Sequence, residues 1–223
     1  MKVVHIDPGS GGTFYCQNCM RDCALVRALR RLGHDVTMVP MYLPSFIDTE
    51  GISGDVPVFF GGINVYLQQR FPLFRKTPRW LDKIFDARWM LRKAADQEGS
   101  TAAAELGSMT LSMLQGPEGF QQKELTRLID WLRDQEKPDI VHISNGLLLG
   151  LAEELKAALG VPIVCSLQDE KAWLHGMDAS DETLCWDAMA RQGAHVDQFI
   201  AVSRWYADAV GARMLVPDEK MTV

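Results

Sequence analysis

The sequence predicts an α/β domain built on a doubly wound, mostly parallel sheet, and three observations carry that expectation. The chain opens as an apolar run, Val3-Val4-His5-Ile6, then a Gly-rich loop, then a helical pattern, which is how such domains begin. From about residue 139 onward, short apolar segments alternate with amphipathic ones, as in repeated βα units. Those apolar segments are near-continuous rather than alternating, as expected of strands covered on both faces.

Each element has its own signal. In the first helix Leu25, Val26, Leu29 and Leu32 recur at helical spacing, and Gly33 supplies the stop. Residues 35–41 (DVTMVPM) read as the second strand, and 42–55 as a loop with Pro44, Gly51 and Gly54. Residues 56–60 and 63–67 around Gly61-Gly62 read as two extended segments joined by a tight turn. Between 71 and 135 the pattern is mostly helical. Pro78 starts one piece, Gly99-Ser100-Thr101 breaks it, an Ala-rich piece runs to Leu114, and a third carries Leu125, Leu128, Ile129 and Leu132. This exceeds one crossover, so a helical insertion is expected around 70–120.

The remainder is regular. DIVHI (139–143) is a strand, 147–159 a helix stopped by Gly160, and VPIVCSL (161–167) a strand. A helix over 180–192 has Ser180 as its expected N-cap. QFIAV (198–202) is a strand, 203–210 a helix, and 220–223 a further short strand.

Bulk properties exclude several classes. A formal charge of −6 over 223 residues lacks the basic footprint of a nucleic-acid binder. The N-terminal apolar run is too short for a signal peptide, and no later run matches a bilayer span. Five unevenly placed cysteines do not form a disulfide framework. A cytoplasmic protein is the expectation.

In a doubly wound sheet, ligands lie outside the carboxyl ends of the strands. That rule selects Gly9 to Thr13, Ser144-Asn145-Gly146, Gln168-Asp169-Glu170 and Ser203-Arg204. Glycines in the first loop let backbone N–H groups approach a phosphate at the following helix terminus. The loop is PGSGG rather than G-x-G-x-x-G, and no acid ends the second strand, which argues against NAD. Asn145 and Ser203 suit helix caps as well as ligands. Arg204 suits a phosphate or carboxylate. His142, inside an apolar strand, reads as a hydrogen-bonded core histidine.

Two other features stand out. Cys16, Cys19 and Cys23 are candidate metal ligands without a fourth cysteine nearby; the other reading is of small buried side chains. Residues 70–93 hold eight Lys/Arg against two Asp, a net +6, interleaved with Phe71, Phe74, Trp80, Phe85 and Trp89. That composition fits an anionic membrane surface or a lipid-linked acceptor. It also fits a helix packing Leu81, Ile84, Phe85 and Leu91 on the core.

The segments MKVVHIDPGSGGTFYC, GHDVTMVPMY, PDIVHISNGLLLGLAEELKAALGVPIVCSLQDE and FIAVSRWYADAV, in that order and spacing, resemble the N-terminal domain of GT-B fold glycosyltransferases of the group 1, family 4 type. The resemblance covers nearly the whole chain, less clearly at 70–120. It implies one Rossmann-like domain over 1–223, the acceptor-side half of a retaining, hexosyltransferase-type enzyme. Its substrates would be a nucleotide sugar and a glycan or lipid-linked acceptor, with no cofactor or metal. It places Gly11 and Gly12, with Thr13, at the donor phosphates. Asn145, Gln168, Asp169, Glu170, Ser203 and Arg204 would line the acceptor cleft. Many relatives carry a histidine where Gln168 stands; glutamine takes no proton, so no general base is assigned, and Gln168 and Glu170 are the catalytic candidates. A nucleotide-sugar domain has no counterpart in this sequence, so the chain alone is expected to be inactive. Membrane contact would be peripheral, on the inner face, through 70–93. Two alternatives stay open: a non-catalytic nucleotide- or phosphate-binding Rossmann module, and a metal-binding redox domain using Cys16, Cys19 and Cys23.

Overall fold

The computed structural model describes residues 1–9, 17–42, 56–57, 59–77 and 103–223. Six parallel strands form one sheet in the order β2-β1-β3-β4-β5-β6. They are β1 (Lys2–Asp7), β2 (Asp35–Pro40), β3 (Ile140–Ile143), β4 (Ile163–Leu167), β5 (Gln198–Ala201) and β6 (Met221–Thr222). Strand order reverses at β1, which pairs with β2 on one side and β3 on the other. This is the doubly wound arrangement that the apolar strands predict.

The two faces of the sheet differ. Val3, Val36 and Met38 pack with Cys23 and Val26 of helix α1 (Gln17–Arg31). Val4, Ile6, Val39, Val141 and Ile143 point the other way, into the larger cluster. Alternation along the strands divides the residues, so both faces must be covered by helices. The α1 face also carries a polar row. His5 lies in register with His142, and the two Nδ1 atoms are 2.8 Å apart. His142 Nε2 in turn reaches Ser166 Oγ at 2.9 Å. His142 is therefore a hydrogen-bonded core histidine, as its place in the strand indicates.

Several sequence expectations are corrected. The segment expected as the second arm of a hairpin is helix α2, Gly62–Arg70. Its buried positions, Asn64, Val65 and Gln68, follow helical spacing, and Gln68 Nε2 donates to the fully buried Glu124 carboxylate at 2.9 Å. Leu32 lies beyond the end of α1 and is 73% exposed; Gly33, whose φ is +84°, turns the chain away after the helix ends at Arg31. Residues Gly146–Leu151 form a 3-10 helix, so the α-helix expected from 147 begins later, as α5 (Ala152–Leu159). Ser180 is not a cap: α7 runs Ala179–Gly193 from Asp178.

In the expected insertion, the Ala-rich piece is α3 (Ala103–Leu114), and the third is α4 (Gln122–Asp134) with Leu125, Leu128, Ile129 and Leu132 buried. The helix expected from Pro78, with Leu81, Ile84, Phe85 and Leu91, lies outside the described residues, as do 43–55. The remaining helices are α6 (Glu170–His175) and α8 (Arg204–Met214). No described helix is long and apolar enough to cross a membrane.

Candidate functional site

The loops at the carboxyl ends of β3, β4 and β5 are tied together by one buried carboxyl. Glu170 is fully buried. Its Oε1 accepts from Gly146 N at 2.7 Å, and its Oε2 from Gln168 N at 2.8 Å and Tyr206 Oη at 2.6 Å. Burial raises its pKa, opposed by those hydrogen bonds. Both protonation states can be accommodated. An ionised Glu170 accepts the Tyr206 proton; a protonated one donates to Tyr206, whose hydroxyl then donates to the Gln168 carbonyl, 3.1 Å away. Gly146 admits this carboxyl because it lacks a side chain: a Cβ there would lie 3.0 Å from Glu170 Cγ and 2.9 Å from Met189 Cε.

Gln168 is likewise buried and engaged at every polar group. Its Nε2 donates to Ser144 O at 2.7 Å, and its Oε1 accepts from Arg21 Nη1 at 2.6 Å. The next residue, Asp169, has φ = +90°, a left-handed conformation that aspartate tolerates better than most side chains. It is exposed, with Oδ2 accepting from Asn18 Nδ2 at 2.8 Å. The loop is thus not a solvated connection. It joins α1 to the end of β4 through two side-chain bonds.

Above this loop lies a cavity of about 610 Å³. Asn18 and Arg21 enter it from α1, Gln168 and Asp169 from the β4 loop, Lys171 and His175 from α6, and Trp205 and Tyr206 from α8. Lys171 Nζ sits 5.0 Å from the Trp205 ring centroid. Trp205 is 67% exposed, whereas Tyr206 is buried with its hydroxyl on Glu170.

Of the residues selected from sequence, Gln168 and Asp169 line this cavity, with Glu170 beneath it. Asn145 and Ser203 act as caps, accepting from Leu147 N at 2.7 Å and Tyr206 N at 3.2 Å respectively. Arg204 is exposed and is not among the residues lining the cavity. Gly9 has φ = +80° and donates its N–H to Asp7 Oδ2 at 3.0 Å. Gly11, Gly12, Thr13 and Cys16 lie outside the described residues. Cys19 and Cys23 are buried on α1, and among the described residues no group of three or more His, Cys, Asp or Glu is arranged to hold a metal. Sequence reasoning missed Arg21, Lys171, Trp205 and Tyr206. Tyr206 and Trp205 stand in the quoted segment FIAVSRWYADAV, but their side chains converge on the β4 loop only in three dimensions.

A family model for the glycosyl transferase 4-like domain matches residues 23–223. The chain belongs to this family. No curated protein matches it. A glycosyl transferase 4-like domain on a six-stranded parallel sheet accounts for the placement of the cavity: it opens at the carboxyl ends of the strands, where this class of sheet binds ligands.

Proposed function

We propose that this glycosyl transferase 4-like domain is the acceptor-side half of a retaining, hexosyltransferase-type enzyme using a nucleotide-sugar donor. The observation that supports it best is the cavity between α1, α6 and α8, with side chains suited to a sugar: an exposed indole for a ring face, and Asn18 and Asp169 for hydroxyls. The acceptor is a glycan or a lipid-linked saccharide, and residues 70–93 provide peripheral contact with the inner face of a membrane. The donor phosphates lie over Gly11, Gly12 and Thr13, where backbone N–H groups stabilise the departing nucleoside diphosphate. A donor set of that kind contributes roughly 2.7–4 kcal/mol to lowering a barrier.

Within this chain the residues position rather than exchange protons. Gln168 holds Arg21, and the Glu170–Tyr206 pair holds the Gln168 loop to α8. No general base is assigned.

The test is sugar transfer from labelled UDP-, GDP- and ADP-sugars, with thermal shifts recorded in parallel. Both would be run on the 223-residue chain and on any longer polypeptide its gene encodes. Transfer by the longer polypeptide, with no donor-induced shift in the short chain, is the expected result. A comparable shift in the short chain without transfer by either would replace this reading with a nucleotide-binding module.

A further inference from the structure

We infer that the cavity takes a sugar ring bearing an anionic substituent, a phosphate or carboxylate, with the anion at Arg21 and Lys171 and the ring face on Trp205. Its role as an acceptor subsite rests on the transferase reading; its chemistry does not.

Charge is the first argument. The chain carries −6, yet the cavity wall gathers Arg21 and Lys171 against the carboxylate of Asp169, while His175 at its edge faces Glu182 at 3.8 Å. Orientation is the second. A guanidinium on a surface helix ordinarily samples many rotamers, but Arg21 Nη1 is held at 2.6 Å by Gln168 Oε1, and Gln168 is itself anchored at 2.7 Å to the Ser144 carbonyl. A buried amide thus fixes one edge of the fork. The planar guanidinium can then present its other N–H groups as a bidentate anion site at reduced entropic cost.

The third argument is Trp205. Trp205 is 67% exposed at a cavity wall, and a sugar's C–H face is a fitting partner for the exposed part of its ring. Lys171, 5.0 Å from its centroid, places positive charge beside that face. Asp169, tied to Asn18, repels an anion from its own side and accepts from a ring hydroxyl instead. The ligand is therefore polarised, anion toward Arg21 and Lys171 and hydroxyl toward Asp169.

The experiment is calorimetric titration of the full chain with glucose, glucose 6-phosphate, glucuronic acid, inorganic phosphate and UDP. Binding of glucose 6-phosphate or glucuronic acid at least tenfold tighter than glucose is expected, and the stronger of the two identifies the anion. Lys171→Gln, at an exposed position that leaves folding unaffected, should weaken the anionic sugar about fivefold without altering glucose. Arg21→Gln should do the same or more, with circular dichroism verifying the fold. Trp205→Ala should weaken every sugar but not inorganic phosphate.

Equal affinity for glucose and the anionic sugars would overturn the inference. So would the absence of sugar binding, or binding of UDP or inorganic phosphate as tight as the sugar anion and indifferent to Trp205→Ala. Tight anionic-sugar binding without transfer by any longer polypeptide would remove the transferase reading and leave this one. Transfer to neutral acceptors at a rate unchanged by Arg21→Gln would do the reverse.

Discussion

Gln168 Oε1 accepts a 2.6 Å hydrogen bond from Arg21 Nη1 while the same side chain's Nε2 donates at 2.7 Å to the Ser144 carbonyl. One buried amide therefore links the first helix to the loops after β3 and β4. Its position made it an acceptor-cleft and catalytic candidate from sequence; its geometry makes it the support for Arg21 at the cavity wall. Gln168→Ala should raise the acceptor KM about tenfold with little change in kcat. Gln168→Glu, which keeps an acceptor for Arg21 but loses the donor to Ser144, should recover part of that loss. An equal fall in kcat for both would place Gln168 at the reacting atoms instead.

Glu170 closes the same loops from beneath. Glu170→Ala leaves Gly146 N and Gln168 N buried without their acceptor, and should cost about 2–5 kcal/mol. Glu170→Gln keeps the shape and one acceptor and should cost about half as much. Urea denaturation of both variants measures this; a cost below about 1 kcal/mol for the alanine variant would mean that the loops are held by packing alone.

Acid should destabilise the domain through its paired histidines. Burial, the His142 partner and the nearby Arg21 hold the His5 pKa well below 6.5, even with the Asp22 carboxyl 3.8 Å away. Burial, then Arg21, lowers that of His142 to about 4. The fold thus prefers neutral rings. Their contribution is complete above pH 6.5 and is lost as pH falls below it, at up to about 1.4 kcal/mol per pH unit for each ring. Glu170 has the opposite sign, because a carboxyl raised in the fold loses stability as pH rises. The histidine part is therefore read as the difference between the native chain and His142→Gln, from urea midpoints at pH 7.5 and 5. Parallel midpoints would contradict it.

Gly150 is a contact that no other residue can make. A Cβ there would lie 2.0 Å from the Met113 carbonyl oxygen, and Gly116, at φ = +60°, meets the Gly150 carbonyl at 2.3 Å in the same way. Backbone against backbone leaves no side chain to move aside. Gly150→Ala should destabilise by about 3 kcal/mol or more, measured as a fall in thermal midpoint. A shift under 2 °C would show that the 3-10 segment and α3 can separate freely.

Asn145 separates capping from binding. Asn145→Ala should cost about 1 kcal/mol through loss of the bond to Leu147 N, and Asn145→Asp should restore it. If the aspartate variant regains stability but not transfer, Asn145 also meets the ligand; recovery of both would limit it to the cap.

The strands, their parallel pairing and the edge of the sheet at which a ligand would sit were legible in the sequence. Continuous apolar runs such as DIVHI and VPIVCSL can be stable only when covered on both faces, and crossover helices oblige them to run parallel. Ser203 was legible as a cap because capping is a local hydrogen bond, fixed by its neighbours in the chain. What only the tertiary structure decided was decided at long range. Residues 63–67 read as an extended segment, yet 62–70 is a helix whose buried Asn64, Val65 and Gln68 meet partners far away in the chain, Gln68 bonding Glu124 among them. Arg21 looks from sequence like one more charge on an amphipathic helix. It becomes part of the cavity wall, held there by a glutamine 147 positions later in the chain, buried at the end of β4, that accepts its hydrogen bond. Periodicity reports burial against the chain's own core, whereas a binding site is the meeting of side chains whose separation in sequence carries no signal.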